Sequence, residues 1–222
     1  MPSSPSPSAV PIGTVYGVLL NDAATLERLQ PLFDAAPYKA PPKAPILYIK
    51  PRNTLAPEAA AVAVPADPGV VRIDATVGAV IGRTATRVAA EDALKHVAGY
   101  VVVSDVTLPH DDYYRPAIAQ RCRDGFCPIG PLQPASGFDL PRSEVVVSIN
   151  GAEVHRRPLS RLVRDLPRLI ADITEFMTLS EGDVLLIGPP EEAPLARPGD
   201  AVRIDVAGLC SLHHTVVAEE LA

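Results

Sequence analysis

Residues 121–131 read RCRDGFCPIGP, placing two arginines, two cysteines and an aspartate on one short stretch. Such a stretch could be a metal knuckle, a disulfide loop or the wall of a pocket for an anion. Cys122 and Cys127 are separated by four residues, and a zinc knuckle also needs a second ligand pair. Cys210 stands alone among the cysteines. Three cysteines is an odd number, and without an export signal they are expected as reduced thiols that pack as small apolar residues. The arginines invite a different chemistry. Arg115, Arg121 and Arg123 lie close together beside Tyr113, Tyr114 and Asp124, and a guanidinium fork matches a carboxylate bidentately. A solvated charged face is the alternative that composition leaves open. Upstream, YIKPRNT (48–54) adds Arg52 at a proline-fixed strand end.

Five histidines occur, His96, His110, His155, His213 and His214, none in a paired metal motif. His213 and His214 would point to opposite faces of a strand and so cannot chelate together. No Gly-x-Ser-x-Gly elbow is present. His110 alone is kept as a candidate, because it directly follows VSDVTLP.

The elements that must carry these groups are mostly strands. The apolar runs at 14–21, 46–50, 61–65, 70–83 and 99–108 read as β, the longer ones rich in β-branched residues. EVVVSINGAEVH (144–155) predicts a hairpin, with Asn150-Gly151 suited to the two positive φ angles of a type I′ turn. Helices are expected over 22–36, capped by Asp22, over 89–97, and over 160–179, where Pro167 would bend the axis. Three strands follow, near 184–188, 201–208 and 213–218. No βαβ rhythm emerges, so the reading is one α+β, β-rich domain over 14–222 with mixed sheet. MPSSPSPSAVPIG (1–13) reads as a disordered Pro/Ser-rich tail.

Bulk properties exclude some functions. The 222 residues carry a net charge of −6 and a pI near 5.3, with no basic block to meet nucleic-acid phosphates. No run approaches the roughly 20 apolar residues of a membrane span. A soluble, cytoplasmic protein is expected.

Taken in order, IKPRNT, ATVGAVIGR, VAGYVVVSDVTLP, YYRPA, CRDGFCPIGP, INGAE, MTLSEGDVLLIGPP and PGDAVRIDVAGL resemble the fumarylacetoacetate hydrolase superfamily. More narrowly, YYRPA with CRDGFCPIGP is similar to the first half, or first subunit, of the two-part isomerase/decarboxylases of 4-hydroxyphenylacetate degradation. The resemblance implies a mixed β-roll with a few peripheral helices, and a pocket holding Mg²⁺ or Mn²⁺. The family's Glu-x-Glu ligand pair falls on Asp74-Ala75-Thr76, and its later aspartate on Asp105. Two carboxylates, one on a shortened arm, would hold such an ion more weakly than three.

Further departures bear on the reaction. Hydrolytic members carry a His and a Glu after the first strand, where Thr25 and Arg28 stand here, removing a general base. The family lysine falls on Arg121, and its TGTP loop is IGPP, with Ile187 and Pro189 in place of threonines. The resemblance thus implies Asp74 and Asp105 as metal ligands, Arg121, Asp124 and His110 as catalytic groups, and Arg52, Arg115, Tyr114 and Arg121 on the substrate. That substrate would be a small polycarboxylate 2-oxo acid. The reactions implied are decarboxylation of 5-oxopent-3-ene-1,2,5-tricarboxylate and isomerisation of 2-hydroxyhepta-2,4-diene-1,7-dioate. A homodimer or a hetero-oligomer with a sister subunit is expected. A non-catalytic partner subunit and an acylpyruvate-type hydrolase are the alternatives.

Overall fold

A computed structural model describes residues 11–110 and 115–220. Along the chain run β1 (Val15–Leu19), α1 (Ala23–Phe33), β2 (Ile46–Lys50), β3 (Leu55–Ala56), β4 (Ala61–Val64), β5 (Val71–Ile81) and β6 (Val97–Thr107). There follow α2 (Ile118–Arg121), β7 (Cys127–Pro128), β8 (Gln133–Pro134), β9 (Glu144–Ile149), β10 (Ala152–Pro158) and α3 (Leu166–Thr174). The chain closes with β11 (Val184–Leu186), β12 (Leu195–Ala196), β13 (Ala201–Val206) and β14 (Leu212–Ala218). One sheet runs β2-β1-β11-β5-β6-β8, with β12 also on β5; a second runs β10-β9-β13-β14-β4. Both mix parallel and antiparallel pairs. The expected β-rich mixed architecture is therefore present.

The sheet that matters is built on β5 and β6, two long antiparallel strands buried along almost their whole length. Burial on both sides explains why their sequences are runs of Val, Ile and Ala rather than alternations. Ile73, Ala75, Val77, Ala79 and Ile81 face the main core, with Val102 and Val106. The opposite face carries Val80, Val101 and Val103, packed with Val15, Val184, Leu186 and Cys127. Asp74 and Asp105 lie on that second face, directly opposite each other in register.

Several local expectations change in detail. The segment 89–97 forms a 3-10 helix (Ala90–His96) rather than an α-helix. The helix expected over 160–179 is only Leu166–Thr174, because Asp165 caps it by accepting from the Arg168 amide. Pro167 thus opens the helix, where its missing N–H costs nothing, instead of bending its middle. The hairpin holds as read: Asn150 and Gly151 have φ of 53° and 82°. Residues 1–10 of the expected tail lie outside the described residues, whereas the Gly13 amide already bonds the Gly182 carbonyl at 2.8 Å.

Candidate functional site

Asp105 is fully buried and is held from three directions. The Lys50 ammonium, also fully buried at the end of β2, lies 2.9 Å from its Oδ1. Arg121 Nη1 lies 3.1 Å from its Oδ2, and the Tyr48 hydroxyl donates to the same oxygen. Lys50 spends its remaining donors on the Val106 and Arg121 carbonyls, at 3.0 and 2.8 Å. Asp74, equally buried, faces Arg72 Nη2 at 3.1 Å and Arg121 Nη2 at 3.5 Å. One guanidinium therefore spans both carboxylates, and it stacks 4.7 Å over the Tyr48 ring.

These contacts set the charge states. Burial raises the Asp105 carboxyl, but Lys50 and Arg121 outweigh it and hold the group below its usual range. Burial also raises Asp74, and there Arg72 and Arg121 compensate only in part. The Tyr48 phenol is pushed well up, first by burial and then by the Asp105 charge, so it stays a neutral donor.

The cluster forms one wall of a cavity of about 360 Å³, lined by Tyr48, His110, Arg115, Arg121 and Cys122 with apolar Ile46 and Ile118. His110 and the clustered Arg115 and Arg121 are thus brought together. Asp105 and Asp74 stand behind Arg121. Tyr114 lies outside the described residues. Arg52 is not brought in: it is exposed and lines a separate depression with Leu55 and Glu181. Asp124 does not orient Arg121, as was expected; it is exposed and accepts from Asn53 Nδ2 at 2.6 Å, pinning the loop to the turn after β2. All three cysteines are free thiols; buried Cys127 is pushed up to about 12 by desolvation, so it packs and does not react.

A second buried ion pair adjoins the first. Arg157 Nε lies 2.8 Å from Asp22 Oδ2, and its Nη1 donates to the Gly188 carbonyl at 2.8 Å. The Thr76 hydroxyl donates to that same carbonyl at 2.8 Å. Gly188 sits at φ 109°, and a Cβ there would meet the Val18 carbonyl at 2.5 Å.

Sequence reading missed Lys50, Tyr48, Arg72, Arg157 and Asp22's second role beyond its cap. The one available signal was charged residues inside strand-like runs, ILYIK and VVRID, where burial demands a partner.

The residues present fit a divalent metal poorly. Among the described residues no group of three His, Cys, Asp or Glu could hold one. Asp74 Oδ2 and Asp105 Oδ1 lack well-aligned hydrogen bonds, yet each already faces a cation. The third ligand position is Thr76, and its hydroxyl is turned to Gly188. Three cations against two carboxylates leave a positive site, suited to an anion and unfavourable for Mg²⁺ or Mn²⁺.

The β-roll, the opposed carboxylates and the arginine-lined cavity define one class, and the chain belongs to the fumarylacetoacetate hydrolase family: residues 14–217 match the domain described as fumarylacetoacetate (FAA) hydrolase C-terminal. A bifunctional isomerase/decarboxylase of 4-hydroxyphenylacetate degradation from Salmonella dublin is 40% identical over 208 residues, covering 94% of this chain. The chain spans 48% of that relative's length, about half. Among solved structures, a 5-carboxymethyl-2-hydroxymuconate delta-isomerase from Mycobacterium smegmatis superposes with a TM-score of 0.81 at 28% identity, over 96% of this chain and 81% of the other. A fumarylpyruvate hydrolase from Pseudomonas aeruginosa, in complex with Mn²⁺ and pyruvate, gives 0.80 at 26%, over 95% and 91%. The family generally binds a divalent metal. No helix among the described residues is long and apolar enough to cross a membrane.

Proposed function

We propose that the chain acts in 4-hydroxyphenylacetate catabolism on an unsaturated 2-oxo polycarboxylate, decarboxylating 5-oxopent-3-ene-1,2,5-tricarboxylate and isomerising 2-hydroxyhepta-2,4-diene-1,7-dioate. The observation that carries this reading is the cavity in which Arg121, Arg115, Tyr48 and His110 converge. The 40% identity to a named isomerase/decarboxylase supports it.

In decarboxylation the bond to one carboxylate carbon breaks and CO₂ departs. The electron pair passes through the conjugated C=C to the 2-oxo oxygen, which takes a proton to give a dienol. Isomerisation removes that enol proton and adds one to carbon, restoring the 2-oxo acid. Both steps place negative charge on the same oxygen, and a guanidinium fixed beforehand stabilises it without reorganising. Arg121 is so fixed, by Asp105 and by stacking on Tyr48. Arg115 holds a substrate carboxylate at the mouth, and His110 carries the proton. Tyr48, neutral and donating to Asp105, positions Arg121. The chain works as a homodimer or with a sister subunit, in the cytoplasm.

The test is the decay of the dienol absorbance of 2-hydroxyhepta-2,4-diene-1,7-dioate with the full chain. Acceleration over buffer is expected, with His110→Ala losing about a hundredfold or more, the usual contribution of a general acid–base group. No acceleration, with or without a sister chain, overturns the reading. A second reading is favoured by Thr76 at a ligand position: a non-catalytic partner, for which this chain is silent and a sister chain alone turns over. The hydrolase reading loses support, since Thr25 is buried in α1 and Arg28 pairs with Glu191, leaving neither as a base.

A further inference from the structure

We infer that the guanidinium of Arg121 takes the place of a divalent cation between Asp74 and Asp105, so that this site is built to work without a metal. The inference concerns the same site as the proposed function but does not depend on turnover. It rests on where each carboxylate oxygen is directed. Asp105 Oδ1 faces Lys50 at 2.9 Å, and its Oδ2 faces Arg121 at 3.1 Å and Tyr48. Asp74 Oδ1 faces Arg72 at 3.1 Å, and its Oδ2 faces Arg121 at 3.5 Å. The cation shared by both residues is therefore the guanidinium, and it comes from the end of the short helix α2, whereas Lys50 and Arg72 each serve a single carboxylate. Lys50 and Arg72 are fixed by β2 and β5 themselves.

Two features make this arrangement more than a collapsed metal site. Thr76, which would have to supply an oxygen, donates its hydroxyl to Gly188, on a carbonyl that Arg157 also occupies. A wholly buried lysine against a would-be ligand adds a fixed positive charge that an incoming dication must oppose without water to screen it. Unlike a metal, a guanidinium supplies directed N–H donors. It can hold the two carboxylates with one edge and present charge to the cavity, where Arg121 is part of the lining.

The experiment is Mn²⁺ binding, followed by the loss of the free-ion paramagnetic resonance signal, on the full chain and two variants. The unaltered chain is expected to take up no Mn²⁺ up to about 1 mM, beyond the range of ordinary low-charge oxygen sites. Arg121→Ala combined with Thr76→Glu removes the bridging cation and restores a third carboxylate. It is expected to gain at least about tenfold in affinity over the unaltered chain, from the added ligand charge. Lys50→Met is the second variant, with a smaller gain expected because Arg121 remains. Uptake by the unaltered chain below about 1 mM overturns the inference. So does a folded double variant that binds no better. If the double variant does not fold, the unaltered chain decides alone. Because no substrate enters the assay, an absence of enzymatic turnover leaves the result standing.

Discussion

Two buried arginines among the described residues face aspartates across 2.8 to 3.5 Å, yet they do different things. Arg157 meets Asp22 at 2.8 Å and the Gly188 carbonyl, in a pocket of one cation and one anion, and it lines none of the cavities described. Arg121 meets two aspartates, and those aspartates hold two further cations, Lys50 and Arg72. The first pair is balanced in charge, although Arg157 Nη2 is buried without a hydrogen-bond partner. The second is over-supplied with positive charge and sits at a cavity wall. A balanced pair needs no further counter-charge, whereas a cationic cluster behind a cavity asks for an anion. Burial and pairing alone do not mark a functional arginine; the excess of charge does.

Removing each arginine should separate the two roles. Arg157→Met leaves Asp22 buried without its cation and deletes one of two donors to Gly188. A loss of about 3–5 kcal/mol in denaturant unfolding is expected, as for other broken buried pairs, with no specific effect on anion binding. Arg121→Met leaves Asp105 on Lys50 and Asp74 on Arg72, so a clearly smaller stability loss is expected. Its effect should appear in binding: oxalate, measured calorimetrically, is expected to bind about ten- to a hundredfold more weakly, from the roughly 1.5–3 kcal/mol of a charged hydrogen bond. Equal stability losses with unchanged oxalate binding would erase the distinction.

A buried group with no charge partner gives the comparison a third point. His214 is 2% exposed, and its Nε2 lies 3.0 Å from Ser104 Oγ on β6. Burial, the largest cause, pushes its pKa down to about 4. Folding therefore favours the neutral ring. The stabilisation is complete above the unfolded value of about 6.5 and is lost as pH falls from there toward 4, where the folded ring also protonates. Up to about 3 kcal/mol should disappear across that window. His214→Gln should flatten that part of the stability profile, measured by urea unfolding from pH 7 to 4.

How much of this was readable from the residues depends on whether the signal was local. The Asn150-Gly151 hairpin and the strands of β5 and β6 were, because turn chemistry and β-branched runs act over a few positions. The helix over 160–179 was overdrawn because Leu162 also fits the apolar stripe, while the Asp165 cap that starts the helix competes with it. At the site, Asp74, Asp105, Arg121, Arg115 and His110 came from motif order and do converge. Lys50 and Tyr48 did not come, since nothing local says that β2 will lie beneath the end of β6. Arg52 was expected on the substrate from its place at a proline-fixed strand end, but the chain turns after Pro51 and leaves Arg52 exposed.

The smallest effect is expected at the third arginine of the loop that first drew attention. Arg123 is two residues from Arg121, and on sequence the two are hard to tell apart. In the structure Arg123 reaches outward to Glu219, with Nη2 at 2.8 Å from both carboxylate oxygens, and both side chains are substantially exposed, at 32% and 40%. Water screens such a pair, and holding two long side chains together costs entropy. Its contribution to stability is about 0–1 kcal/mol and shrinks further with salt. Arg123→Ala is therefore expected to shift unfolding by less than about 1 kcal/mol, with even that difference fading in roughly 1 M salt. Oxalate affinity should be unchanged, because Arg123 does not line the cavity that Arg121 faces. A tenfold loss of oxalate binding in Arg123→Ala would mean that the anion is held by the loop as a charged surface. The contrast between a fixed guanidinium and a solvated one would then fail.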